Sequence, residues 1–426
     1  MTVSPRRRRE VLEALRRGTV PAGGLDLLAV GLDRFQDALR AELAYTAAGG
    51  STFKAVRGEY GAGKTFFTRH LAETALHEGW AVAEVQVSET ETPLHRLETV
   101  YRRITESLRT ATMPPSAFRA SLDGWLFTLE AEAAEAGTTV DALLETRLAS
   151  VSSKTPAFAQ ALRGYRLAAQ AGDLPTADGL AAWLGGQPHV AASAKRGAGL
   201  RGDLDHFGAM AFLQGLLIVL RDAGHPGLLV VLDEVETLQR VRSDVRDKAL
   251  NALRQLIDEV DAGRYPGLYL VITGTPAFFE GPSGIARLQP LAQRLHTDFT
   301  TDARFDNPRA VQIRLTGFDR AKLLELGVRV RDLYASGSDD ADRIVALVDD
   351  AYLSALADVV TGRLGGKVGI APRIFLKKLV ADVLDRVDQF PDFNPRQHYA
   401  LTLHTSELTP VEAEASRTID DIDIDV

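Results

Sequence analysis

The sequence predicts an α/β fold: a parallel sheet with helices on both faces, a helical insertion, and a helical domain toward the C-terminus. Three observations carry that expectation. Two apolar runs, "GLLVVLDEVETL" (227–238) and "GLYLVITGTPAFFE" (267–280), lack the alternation of a half-exposed strand. Such runs suit central parallel strands, which are covered on both faces. Strand-like "FKAV" enters a glycine-rich turn, and "TFFTRHLAETALHEG" leaves it with apolar residues at helical spacing before a glycine stop. Helical stretches separate the strand-like ones along the chain, as parallel crossovers require.

Taken in order, residues 1–50 read as a helical lead-in, with helices over 7–20 and 31–45 joined by "TVPAGGLDLLAVG". A core over 51–318 follows. Its second strand is "WAVAEVQVS" (80–88), and the next helix (93–109) aligns Leu94, Leu97, Tyr101 and Ile104 on one face. Residues 110–205 are rich in Ala, Leu and Glu and broken by turn signals such as "MPPS", "AGDLPT" and "LGGQP", the composition of an all-helical insertion. Within it, "SAKRGAGLRGD" (193–203) is a basic loop, either a solvated connector or a phosphate or nucleic-acid contact. An apolar helix (207–224), the third strand (227–238), a helix (244–262), the fourth strand (267–280), a helix late in "IARLQPLAQRLHTDF" and the fifth strand (310–318) complete the core. Residues 319–388 read as a helical lid domain and 389–426 as an extension with an acidic tail. No internal repeat is evident.

Bulk properties narrow the class. The chain has 426 residues, 45% hydrophobic and 25% charged, as expected of a globular protein with two or three domains. No apolar run reaches membrane-spanning length, and no secretion signal follows the basic start "MTVSPRRRRE", so a cytoplasmic location without membrane attachment is expected. The absence of cysteine excludes disulfides, a thiol nucleophile and Cys-ligated zinc. The net charge of −8 does not advertise nucleic-acid binding. It leaves room for local basic surfaces, of which Arg6 to Arg9 and the set Arg363, Lys367, Arg373, Lys377 and Lys378 are the candidates. The tail "SRTIDDIDIDV", with Asp420, Asp421, Asp423 and Asp425, could dock on a partner.

Gly58-Glu59-Tyr60-Gly61-Ala62-Gly63-Lys64-Thr65 fits G-x-x-x-x-G-K-[ST], the P-loop pattern. Its glycines let successive N–H groups turn inward around an anion, and the following helix adds its positive N-terminal end. Lys64 can reach the β- and γ-phosphates of ATP, and the Thr65 hydroxyl can sit on Mg²⁺. Phe66 completes the expected nucleotide-contact set.

Hydrolysis needs more than a phosphate cradle. Asp233 and Glu234 end the third strand, where a parallel sheet presents its ligands. Asp233 is placed to hold Mg²⁺ with Thr65, and Glu234 to polarise the attacking water. Thr273, at the end of the fourth strand, could orient water or sense the γ-phosphate, or be a hydroxyl satisfied by backbone, with Thr275 as its substitute. Two arginines can oppose developing phosphate charge. Arg373, in "GIAPRIFLKKL", is the candidate for contact within the chain. Arg294, with Arg287 and Arg304 as rivals, is the candidate for a finger reaching a neighbouring subunit.

This order of P-loop, Asp-Glu strand, polar-ended strand, arginine-bearing helix, fifth strand and helical lid resembles the AAA+ superfamily, near its origin-recognition branch, over about residues 30–390. "AVGLDRFQDALRAEL" is similar to the lead-in that such ATPases place before the P-loop. More narrowly, "RRREVLEALRRGTVP", "GLDLLAVGLDRF", "FKAVRGEYGAGKTFF" and "VSETETPLHRLETVYRR" look like the ATP-binding D component of BREX and Pgl-type bacteriophage-exclusion systems. The resemblance implies a Mg²⁺-dependent ATPase that acts as a switch or motor in a DNA-associated antiviral complex. It implies a homo-oligomer, methyltransferase and phosphatase-like partners, and weak non-specific contact with DNA. Glu89, Glu91 and His95 lie in the segment that makes the match specific. An ATP-bound assembly scaffold with little turnover and an origin- or transposition-type DNA loader are the alternatives.

Overall fold

A computed structural model describes residues 3–149, 156–363 and 371–400. Five parallel strands form one sheet: β1 (Thr52–Arg57), β2 (Ala81–Gln86), β3 (Leu228–Asp233), β4 (Leu268–Gly274) and β5 (Gln312–Arg314), in the order β2-β3-β4-β1-β5. Every expected strand is present; β1 extends one residue beyond each end of "FKAV", and the other four are shorter than their expected ranges. The central strands are the most apolar because helices cover both faces: β4 is buried at every position and β3 at all but its last. Register brings the functional strand ends level, with Gln86 opposite Asp233 and Val56 opposite Thr273.

A lysine in β1 looks out of place until its partners are counted. Lys54 is buried, with Nζ 2.5 Å from Glu42 Oε1 and donating to the carbonyls of Ala310 (2.7 Å) and Pro308 (3.3 Å). The Tyr269 hydroxyl donates to the same carboxylate at 2.5 Å. This paired and hydrogen-bonded charge ties helix Asp33–Ala47 to the sheet, as a buried charge requires.

The region expected as an insertion contains helices Phe118–Ala136, Val140–Arg147, Pro156–Gln170, Leu174–Leu184 and Ala192–Gly197. It shares a core with one face of the sheet through helix His206–Asp222. Phe212 of that helix is the hub. Tyr101, Phe158 and Trp183 meet it edge-on, with ring centroids 5.9, 5.0 and 5.3 Å away. Gly215 admits Phe158, since a β-carbon there would lie 2.4 Å from the ring. The Asp205 carboxylate caps the helix by accepting from the Gly208 N–H at 2.7 Å.

The C-terminal helices, among them Arg320–Ala335, Asp350–Arg363 and Ala371–Lys377, build a separate core. The first helix of the chain, Pro5–Arg16, belongs to that core. Val11, Leu12 and Leu15 pack with Leu326, Phe375 and Leu379, and Arg16 makes a bidentate ion pair with Asp385 (2.7 and 2.8 Å). Three further arginines of that helix have partners within the chain: Arg6 pairs with Glu10, Arg7 with Asp26, and Arg8 donates to the Ser336 carbonyl. Lys195, expected in a basic loop over 193–203, lies instead on helix Ala192–Gly197 and is likewise buried, donating to the Gly202 carbonyl (3.0 Å) and to Asp203 (3.1 Å). Lys378 is buried and pairs with Asp382 at 3.3 Å. Lys195 and Lys378 therefore serve the fold instead of presenting the basic surface considered for them, whereas Arg6 and Arg9 stay exposed. Lys367, the Arg363 side chain and the acidic tail lie outside the described residues. Among the described residues no helix is long and apolar enough to cross a membrane.

Candidate nucleotide site

The P-loop leaves β1 and enters helix Lys64–His77. Gly61 and Gly63 take φ of 78° and 91°, left-handed values that side chains resist, and the turn they make wraps the loop around the helix N-terminus. Lys64 is only 8% exposed. Its Nζ donates to the carbonyls of Gly58 (2.9 Å) and Glu59 (3.3 Å), lies 5.2 Å from the Tyr60 ring centroid, and stands 3.8 Å from Glu236 Oε1. Burial pushes the ammonium below the ordinary lysine range, and the surrounding carboxylates, Glu236 foremost, oppose that shift.

The acids at the end of β3 meet this loop. The Thr65 hydroxyl donates to Asp233 Oδ2 at 3.1 Å, so a hydroxyl and a carboxylate oxygen converge on one point. Hard oxygen donors of this kind suit Mg²⁺, which binds through one or two protein ligands together with phosphates and water. Among the described residues no group of three or more His, Asp or Glu side chains could hold a metal without such help.

Glu234 has φ of +61°, a conformation that costs a side-chain-bearing residue about 1–2 kcal/mol. Thr273 stabilises it. That residue is 0% exposed, and its hydroxyl donates to Asp233 Oδ1 while accepting from the Glu234 N–H at 3.1 Å. Asp233 Oδ1 accepts from the same N–H at 3.1 Å. The Thr273 hydroxyl is therefore occupied within the acidic turn. The Glu234 carboxylate, for its part, accepts a hydrogen bond from Gln86 Nε2 at 2.8 Å.

A cleft of about 310 Å³ runs from these groups toward the C-terminal helices. It holds Tyr60, Gly61, Gly63, Lys64, Thr65, Asp233, Glu234 and Glu236. Its lining also includes the apolar side chains of Leu15, Val20, Pro21, Leu28, Phe66, Phe318, Leu326 and Leu376. Arg373, on the first turn of helix Ala371–Lys377, also lines it. Two elements keep the N-terminal segment against the P-loop helix: Glu73 accepts from the N–H groups of Gly24 (2.7 Å) and Leu25 (2.9 Å), and Arg69 donates to the Val20 carbonyl (3.0 Å).

The expected residues thus divide. Lys64, Thr65, Asp233, Glu234, Thr273, Phe66 and Arg373 come together. Arg294 does not join them within one chain. It pairs with Asp258 and donates to the Pro290 carbonyl. Arg287 pairs with Asp247 at 3.1 Å, and Arg304 is exposed beside Phe305. Glu91 pairs with Arg103, and His95 lines a separate shallow cleft with His206 and Lys248.

Three features escape sequence reasoning. Glu236 was within reach, as the third acid in "DEVE". Gln86 carries a weaker signal, as the polar end of the strand beside β3. The apolar wall built from residues 15–28 carries none, because its placement depends on the chain's first helix joining its last ones.

One solved structure that the chain is similar to is the Aeropyrum pernix ORC2 protein in ADPNP and ADP complexes, at 13% identity and a TM-score of 0.32. The likeness covers 82% of this chain and 66% of that one, so the chain spans just under two thirds of that protein, and a match this loose carries no argument. No curated protein matches. Along the chain, the P-loop follows β1, Asp233 ends β3, Glu234 follows it, and Thr273 lies next to the end of β4, the motif order on which the AAA+ resemblance rests. The family model described as BREX system ATP-binding protein BrxC/D matches residues 3–403. With nearly its whole length matched and its P-loop facing the acids of β3, the chain belongs to the family of BREX system ATP-binding proteins BrxC/D.

Proposed function

We propose that the chain is a Mg²⁺-dependent ATPase acting as a nucleotide-driven switch in a DNA-associated phage-defence complex. The observation that carries this reading is the convergence of Lys64, Thr65, Asp233 and Glu234 on one cleft that is otherwise lined mainly by apolar side chains. The apolar side chains suit a base and the charged groups a triphosphate. The P-loop N–H groups and the start of helix Lys64–His77 bind phosphate oxygens, and Lys64 leaves the Gly58 and Glu59 carbonyls to reach them. Thr65 and Asp233 hold the cation. When bound between them, Mg²⁺ would supply neutralisation of phosphate charge. Glu234 orients a water whose oxygen attacks the γ-phosphorus, and ADP and phosphate leave. Arg373 reaches the phosphates from the C-terminal helices and couples their position to the nucleotide.

The domain limits that fit this reading are an ATPase core over 51–318, holding the insertion at 110–205, a lid over 319–388, a lead-in over 1–50 and an extension over 389–426. Helix Pro5–Arg16 of the lead-in packs into the core of the lid helices. Arg294 completes the site of a neighbouring copy in a homo-oligomer, and other proteins of the defence system, methyltransferase and phosphatase-like components among them, receive the switch in the cytoplasm. Any DNA contact is weak and sequence-independent.

Binding of a fluorescent ATP analogue and release of phosphate test the reading together. Lys64→Ala should lose tight binding, because charge-assisted contacts to two phosphates go. Glu234→Gln should keep binding and lose nearly all turnover, because the amide does not polarise water. Unchanged binding in the first variant, or wild-type turnover in the second, refutes the assignment. The Gln86–Glu234 hydrogen bond favours a second reading, an ATP-bound scaffold with slow turnover. Tight ATP binding with negligible phosphate release from the wild-type oligomer, with and without duplex DNA, would select it.

A further inference from the structure

We propose that Glu236 is a positioning residue for product release: its carboxylate draws Lys64 back from the phosphates and lets ADP leave. The proposal rests on the nucleotide-site reading above. Glu236 lies on the turn Val235–Gln239, directly after the acids of β3. It is 4% exposed, lines the cleft, and neither carboxylate oxygen has a hydrogen-bond partner among the described residues. A buried carboxylate without hydrogen bonds is costly, and an apolar side chain would fill the same space more stably. Its position is informative because the Lys64 ammonium is only 3.8 Å away, on the side where that lysine is held by the Gly58 and Glu59 carbonyls.

Lys64 therefore has two alternative surroundings. One is the triphosphate. The other is the pair of carbonyls backed by the Glu236 charge. With ATP bound, the γ-phosphate holds the lysine. Once the γ-phosphate has left, the contest is between the remaining phosphates of ADP and Glu236, and the carboxylate shifts it toward release. Asp233, Glu234 and Glu59 also face Lys64, and Arg373 lines the same cleft. Asp233 bonds Thr65 and Glu234 bonds Gln86, whereas the attraction nearest the Glu236 carboxylate is that of the Lys64 ammonium, opposed by burial and by the Glu234 and Asp233 charges.

The test is the dissociation of a fluorescent ADP analogue, followed by stopped flow in the full-length protein, with equilibrium affinity alongside. Removing a unit charge a few ångströms from the ammonium changes the local energy by several kT even when screened, so Glu236→Gln should bind ADP at least about tenfold more tightly, through slower release. Glu236→Met, which removes the charge and suits a buried site, should do the same if the Gln variant folds poorly. Glu236→Asp restores the charge and should release ADP within about threefold of the wild-type rate, a rescue that a filler of space would not show. Wild-type ADP release in both charge-removed variants, or an Asp variant as slow as they are, overturns the proposal. A wild-type protein that binds neither ATP nor ADP overturns the nucleotide-site reading itself.

Discussion

Thr273→Val isolates the part that a single buried hydroxyl plays in aligning the acids. The two side chains have nearly the same shape, and Thr273 is wholly buried, so the substitution removes hydrogen bonds without opening a cavity. Two bonds go: the one donated to the Asp233 carboxylate and the one accepted from the Glu234 N–H. A bond to a charged group contributes about 1.5–3 kcal/mol and a neutral one about 1 kcal/mol. The Glu234 N–H keeps Asp233 Oδ1, so its loss is the smaller. Against this stands the left-handed conformation of Glu234, which relaxation would relieve by about 1–2 kcal/mol. Losing about 1.5–3 kcal/mol of restraint lowers the aligned population, and with it kcat, by about tenfold to a hundredfold. ATP affinity should hold within about threefold, because Lys64 and the P-loop are untouched. Thr273→Ser keeps the hydroxyl and should recover most of the rate. Single-turnover phosphate release measures the step directly. A Val variant that turns over like wild type would refute the reasoning. A Val variant whose loss is entirely in ATP affinity would make Thr273 a phosphate contact instead of a strut.

Other outcomes follow from the same geometry. Gln86→Ala frees the Glu234 carboxylate from its 2.8 Å hydrogen bond. The pair is exposed, so the gain should be at the low end, about three- to tenfold in basal hydrolysis with unchanged ATP affinity. Lower turnover in that variant would mean that Gln86 aligns Glu234 instead of withholding it. Arg294 should act across a subunit boundary: its partly exposed ion pair with Asp258 contributes at most about 1 kcal/mol and can be given up on assembly. ATPase per subunit should rise with protein concentration, and mixing Arg294→Ala with Glu234→Gln subunits should restore some activity; a rate per subunit that stays constant while the oligomer forms by mass measurement counts against it. Duplex binding should be weak, with a salt slope no steeper than about −3, because few phosphates are neutralised locally. Internal use of Lys195 and Lys378 tightens that bound. No binding at about 50 mM salt, with or without ATP, would leave protein partners as the only targets of the switch.

Much of this protein can be read along the chain because its chemistry is local. A P-loop is one contiguous turn, and its pattern of glycines, lysine and threonine is complete within eight residues. The central strands announce themselves by burial on both faces, and the acids of β3 by following one of them. Even the helical character of 110–205 follows from composition and turn signals. What depended on tertiary structure is everything that requires two distant segments to meet. Gln86 reaches Glu234 only because β2 lies beside β3, with Gln86 in register with Asp233. The role of the Thr273 hydroxyl was open between water and backbone until the packing of β4 against β3 brought it to Asp233. Helix Pro5–Arg16 looks like a lead-in to the ATPase core, yet it packs with helices more than 300 residues later, because the apolar face formed by Val11, Leu12 and Leu15 fits Leu326, Phe375 and Leu379. That packing builds the apolar wall of the cleft. A one-dimensional pattern records that a face is apolar, but not which other face will exclude water from it, since hydrophobic burial is non-directional and its partner is chosen by the shape of the whole fold.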